Sequence, residues 1–304
     1  MACCFWSLEP GLLGATNDRA ATGPKGEVPS ASPVPMTAQD WMLRAHDAQS
    51  RGLMKPALEH IERAIQLTPQ DPKPYYYRAQ VYERLRRPNM AEIDMTRVID
   101  LGATNDPGVF MQRGLLRFRL GEFGGCLADF DRYLQARPSK AAELWQRGIA
   151  FYYAGRPADG VRQFELHRTV NPNDVENSAW HFLCVAQTSG AEAAKEQWMW
   201  VKGDSRIPMA QIQDLMTGKG TAEAVLDAAK AVENRDRRAL ATFYANLYLA
   251  LYYGATGRKD LEARYTAAAA DEPEPFGMMG DVARLHAAWI AGGKPQPPTS
   301  DRLP

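Results

Sequence analysis

The sequence predicts an all-α solenoid of stacked helix–turn–helix units, and three observations carry that prediction. A segment of about 34 residues repeats along the first half of the chain. Within each copy the apolar residues recur at helical spacing rather than in strict alternation. Glycine and proline punctuate each copy at matching places, which marks where helices stop.

The first half of each unit reads WMLRAHDAQSRG from Trp41, YYYRAQVYERLR from Tyr75, FMQRGLLRFRLG from Phe110 and LWQRGIAFYYAG from Leu144. The small residues Ala45, Ala79, Gly114 and Gly148 fall 34, 35 and 34 positions apart. The second halves begin ALEHIERAIQLTP at Ala57, AEIDMTRVIDLGA at Ala91, CLADFDRYLQARP at Cys126 and GVRQFELHRTVNP at Gly160, and they keep the same spacing. Antiparallel helices approach closely only where one presents a small residue. Trp41, Tyr75, Phe110 and Leu144, four positions earlier, are expected to fill the gaps between units. Gly52, Gly121 and Gly155 supply left-handed stops after the first helix, and Pro69, Pro138 and Pro172 follow a second helix that they cannot continue.

These residues resemble the tetratricopeptide repeat (TPR) family over 38–174, read as four units at 38–71, 72–106, 107–140 and 141–174. Arg86 stands where the family has glycine and Ala103 where it has proline; with the extra residue around LGATNDP, this predicts an altered joint between units two and three. The resemblance implies a right-handed superhelix whose concave groove is lined by the first helix of each unit.

Beyond 174 the signature fades while helical character continues. NSAWHFLCVAQTSGAEAAKEQWMWV (177–201) reads as helix, Ser-Gly turn and helix, and TAEAVLDAAKAV (221–232) as a short amphipathic helix. RALATFYANLYLALYYGATGRKDLEARYTAAAA (238–270) reads as helix, Gly257 turn and helix, and DVARLHAAWIAG (281–292) is expected to close the array. Residues 175–291 are therefore assigned as degenerate, TPR-like repeats that cap the stack. The order of NDVENSAWHFL, KEQW, LMTGKGTAEAVLDAA and FYANLYLALYYGATG is similar to the new lipoprotein I family of outer-membrane TPR lipoproteins. That likeness implies a dimeric adaptor bringing a periplasmic protease or a cell-wall hydrolase to its client. No intact lipobox accompanies it.

The flanks read differently. Residues 16–36, TNDRAATGPKGEVPSASPVPM, are too poor in bulky apolar groups to fold, so 1–37 is read as a flexible leader and 292–304 as a disordered tail. MACCFWSLEPGLLGA lacks a basic start and is broken at Glu9-Pro10, a poor signal peptide as written. Two compartments stay open: cytoplasmic, or exported and anchored at Cys3 or Cys4 if this is the remnant of a longer leader.

Composition narrows the function. Lys plus Arg and Asp plus Glu number 36 each, so no net positive field argues for nucleic acid, and no run is long and apolar enough to span a bilayer. Cys126 and Cys184 read as small core residues, and the four cysteines show neither CxxC pairing nor a zinc spacing with histidine. The five histidines are scattered, with no HExxH, no GxSxG and no phosphate loop. Glu176 and His181 are near enough along one helix to meet loosely; a capping acid and an interfacial histidine account for them. The chain is expected to be no enzyme and to need no metal or cofactor.

Attention falls on the groove. The family's groove positions map here to Met42, His46 and Gln49, then Tyr76, Gln80 and Glu83, then Met111, Leu115 and Phe118, then Trp145, Ile149 and Tyr152, edged by Lys73, Arg84 and Arg119. Aromatic, Met and Arg side chains are the usual anchors of protein interfaces, so the set suits an extended or helical peptide. Leu115 and Ile149 are expected to pack between units instead. The Lys, Arg and Asn clamp of chaperone-tail receptors is missing from these positions. Alternatives remain: an aromatic pocket for a glycan or lipid near Tyr244, Tyr248, Tyr252 and Tyr253, whose four-residue spacing also suits a core or homodimer face, or plain self-assembly.

Overall fold

The computed structural model describes residues 35–271 and 277–292. The leader through residue 34, with Cys3 and Cys4, and the tail from 293 lie outside the described residues. Among those described, helices run as α1 (Ala38–Ser50), α2 (Met54–Leu67), α3 (Pro72–Arg84), α4 (Pro88–Asp100), α5 (Gly108–Arg119), α6 (Phe123–Ala136), α7 (Trp145–Tyr153) and α8 (Pro157–Arg168). The second half adds α9 (Val175–Glu196), α10 (Met209–Met216), α11 (Ala222–Lys230), α12 (Arg235–Ala255), α13 (Lys259–Ala270) and α14 (Gly277–Ile290). No strand occurs among the described residues. Consecutive helices pack in pairs from α1 with α2 to α7 with α8, each pair also touching the next, and α12 lies against α9 and α13. This is a TPR-type helical solenoid with irregular later repeats.

Local chemistry sets the helix boundaries. Thr37 and Asp40 form a reciprocal capping box on α1, the Asp71 carboxylate accepts the Lys73 amide at the start of α3, and Pro72, Pro88 and Pro157 open their helices where a missing N–H is harmless. Gly52, Gly121 and Gly155 take φ of 76°, 70° and 70°, the left-handed turn expected of them. Arg86 occupies the corresponding place in the second unit with φ 57°, which costs roughly 1 kcal/mol relative to glycine. At the joint after α4, Gly102 adopts φ 79° and the Asp106 carboxylate accepts the Gly108 amide at 3.0 Å, so the departure at Ala103 is absorbed by a longer capped turn. Residues Pro138–Glu143, beginning at the proline, form a 3₁₀ helix that the sequence pattern did not show.

Close packing rests on the small residues. A Cβ added at Gly148 would stand 2.5 Å from the Phe164 ring, and one at Gly114 would stand 2.8 Å from the Phe130 ring. Each glycine therefore lets an aromatic side chain of the partner helix lie on the backbone itself. Tyr75 packs against the cores of both the first and second units, as its place in the pattern predicts.

A repeated arginine ties the two helices of its own unit together and reaches back to the unit before it. Arg78 donates to both carboxylate oxygens of Asp94 at 2.8 Å and also reaches Glu62 of the preceding unit. Arg113 does the same with Asp129, at 2.9 and 2.7 Å, and reaches Thr96. Arg147 bridges Gln163 of its own unit and Asp131 of the preceding one. In units two to four the arginine sits one position before the packed small residue and its in-unit partner sixteen positions later. Asp94 and Asp129 are each only 2% exposed, so these forked, charge-assisted bonds pin buried carboxylates and fix the register between second helices.

Downstream, α9 is broken where the Ser-Gly turn is expected, with Gly190 at φ 86° and ψ 163°. Helix α10 was not legible as a separate element. Its apolar residues, Met209, Ile212, Leu215 and Met216, join the large core that runs from Phe118 to Leu285.

Candidate interaction groove

The first helices of the four units, α1, α3, α5 and α7, carry the predicted groove residues, and the structure sorts them into three groups. His46, Lys73 and Arg84 are exposed, whereas Met42, Gln49, Tyr76, Gln80, Met111, Leu115 and Trp145 are half-buried. Phe118 and Ile149 are fully buried, Phe118 with its ring edge-on to Phe123, so neither offers a free face. Tyr152 and Arg119 sit beside another element of the same chain, and Glu83 is bonded to Arg119.

That element is α14. The helix covering 281–292 was expected to close the array; it packs on α13 and in addition reaches back to first helices of earlier units. Asp281 accepts a hydrogen bond from Arg119 Nε at 2.8 Å and faces Arg86 Nη1 at 3.4 Å, across sequence separations of 162 and 195. Arg119 also donates to Glu83 at 2.7 Å, and Arg284 of α14 donates to Asp281 at 2.6 Å. The two carboxylates beside Arg119 overcome the effect of its burial and hold its guanidinium above its ordinary value. Further along α14, the His286 ring meets the Tyr153 hydroxyl at 3.1 Å and lies 3.4 Å from the buried Glu262 carboxylate of α13. Burial alone raises Glu262, but the imidazole and the Lys259 ammonium outweigh it and leave this carboxyl below its usual range. Trp289 completes the seat, its ring centroid 6.3 Å from Tyr152 and 5.7 Å from Tyr153. Tyr152 also stands edge-on to Trp180 of α9, ring centroids 5.6 Å apart, and is 6% exposed, and burial pushes its phenol up.

Away from α14 the first helices carry Met42, His46, Tyr76, Gln80 and Met111. Tyr76 stands edge-on to Tyr77, and its hydroxyl accepts a hydrogen bond from Gln112 at 2.9 Å, which orients the ring from the neighbouring unit.

Other sequence candidates resolve into structural roles. Glu176 and His181 do not meet: Asp174 is the cap of α9, Glu176 binds Arg206 and the Tyr248 hydroxyl, and His181 faces Glu165 at 3.8 Å. Burial pushes the Glu176 carboxyl up to about 7, with Arg206 opposing the rise. Tyr248 is fully buried against Glu176, Tyr244 stacks on it, and Tyr253 stacks on Tyr265, so much of the tyrosine cluster is core. Cys126 and Cys184 are free thiols, raised by burial. Among the described residues no cluster of His, Cys, Asp or Glu is arranged to hold a metal ion, and no helix is long and apolar enough to cross a membrane.

No family model matches the chain. Among solved structures it is similar to a tetratricopeptide repeat protein from Parabacteroides merdae, at 14% identity and TM-score 0.50, with 84% of this chain and 98% of that one covered. Weaker likenesses include MamA from Desulfovibrio magneticus RS-1, at 16% identity and TM-score 0.46 over 52% of this chain and 89% of that one. The C-terminal part of a TPR repeat-containing protein from Cytophaga hutchinsonii matches at 14% identity and TM-score 0.44, over 81% and 87%. At these identities the first likeness supports the TPR-type fold and assigns no activity.

Proposed function

We propose that the chain is a non-enzymatic scaffold that holds a partner protein or peptide on the first helices of units one to three. The observation that carries this reading is the row of half-buried residues Met42, Tyr76, Gln80 and Met111, flanked by exposed His46, Lys73 and Arg84, on helices already fixed by inter-unit bonds. Such a surface loses little freedom on binding, because the Arg78 and Arg113 pairs and the Gln112 bond hold the backbone and the tyrosine in place beforehand. A narrower version, recruitment of a protease or cell-wall hydrolase by an anchored dimer, rests on the lipoprotein resemblance alone.

The small-ligand alternative has less to stand on. A shallow surface depression between α1 and α2 is lined by Leu43, Asp47, Arg51, Leu53, Pro56 and His60, without a tyrosine or tryptophan. The test is capture from native lysate by wild type and by Tyr76→Ala/Gln80→Ala, with circular dichroism confirming the fold of both. Partners lost only from the variant support the scaffold; identical or empty lists overturn it. A thermal-shift screen with glycans and lipids raises the melting temperature only if the alternative holds.

A further inference from the structure

The part of the groove covered by α14 reads as a second recognition surface with its ligand already described. Two positions that the repeat pattern assigns to partner binding, Arg119 and Tyr152, are those beside which α14 sits, and a third, Glu83, is bonded to Arg119. The helix meets them as a bound peptide does. One carboxylate, Asp281, enters between two guanidinium groups, and Trp289, eight residues on, covers two tyrosines. Val282 and Leu285, between them, are buried. Without Asp281 the wall would hold Arg86 and Arg119 against Glu83 alone, one positive charge in excess. The surface therefore selects an acidic group at that point.

We propose that this surface binds an amphipathic helix of a partner protein bearing an acidic residue two turns before an aromatic one, and that α14 is the resident competitor for it. A partner gains access by the fraction of time α14 is released, so its apparent affinity is lowered by the strength of the Asp281 contacts. The inference concerns the covered surface and stands whether or not the open groove of units one to three binds anything.

The experiment uses the full chain and a fluorescent synthetic peptide of residues 277–292. Asp281→Lys replaces the carboxylate with a positive charge beside Arg86, Arg119 and Arg284 and releases α14; the variant binds the peptide about tenfold more tightly than wild type, or better. A peptide carrying the same Asp281→Lys change does not bind. Adding Arg119→Glu to the Asp281→Lys chain removes the guanidinium that the peptide's acidic residue needs and abolishes peptide binding, while circular dichroism of each chain separates release of α14 from unfolding. Equal binding to wild type and variant, no binding to either, or binding that survives Arg119→Glu overturns the proposal. The lysate capture with Tyr76→Ala/Gln80→Ala reports on the open groove separately, so either reading can fail alone.

Discussion

The arginine ladder lends itself to a quantitative test at its in-unit pair, Arg78 and Asp94. Asp94 is 2% exposed and takes both of its side-chain hydrogen bonds from Arg78. Arg78→Met leaves that carboxylate buried and unpaired, and breaking a buried pair from one side costs about 3–5 kcal/mol. Burial already holds the Asp94 carboxyl above its ordinary value despite Arg78, so little remains to offset the charge once the arginine is gone. Asp94→Leu is milder, about 1–2 kcal/mol, because Arg78 is 18% exposed and keeps Glu62 as a partner. Arg78→Met/Asp94→Leu removes both charges and fills the space with apolar atoms, so it returns to within about 1 kcal/mol of wild type. The coupling energy is then about 3 kcal/mol or more. Urea denaturation of the four chains, followed by far-ultraviolet circular dichroism at constant slope, measures it. A double variant as unstable as the sum of the singles, or an Arg78→Met cost below about 1 kcal/mol, would show that the ladder is surface decoration.

Two other predictions concern packing and pH. Gly148→Ala drives a methyl to 2.5 Å from the Phe164 ring and destabilises by about 1–3 kcal/mol; in a Phe164→Leu background the same change costs less, as paired denaturation curves will show. Glu176 titrates near 7 in the fold, against an ordinary value of 4.5. The folded state therefore keeps a proton that the unfolded chain has lost between those values. This contribution, at most about 3 kcal/mol, is complete below the unfolded value and disappears as pH rises through 7. Wild type should lose urea resistance from about pH 5 to pH 8, and Glu176→Gln should lose less over the same interval; parallel slopes would refute the assignment.

Most of the array was legible because its determinants are local and periodic. Small residues at Ala45, Ala79, Gly114 and Gly148, with the glycine stops after them, specify close helix pairs wherever they recur. The arginine one position before each small residue was equally periodic, but an arginine on a helix reads as a solvated charge until its partner sixteen residues away is seen to be buried. What pattern could not reach was the path of α14. Its contacts to Arg86 and Arg119 span 195 and 162 residues and involve single side chains rather than a repeated motif. Tyr152 looked like a free groove aromatic for a related reason: nothing near it in sequence says that Trp180 of α9 and Trp289 of α14 both pack beside it. Arg86 carried a partial signal, since an arginine at a left-handed turn position where sister units hold glycine departs from the local rule, and its guanidinium faces Asp281.

The most direct test of the scaffold reading is site-specific photo-crosslinking in native lysate. A photoreactive amino acid is placed in turn at His46 and Gln80 on the first helices, and at Glu59 and Arg63, exposed positions on the second helix of the first unit. The account predicts adducts of a discrete partner from His46 and Gln80 and none from Glu59 or Arg63. Adducts of equal yield from both pairs, or from Glu59 and Arg63 alone, would contradict it.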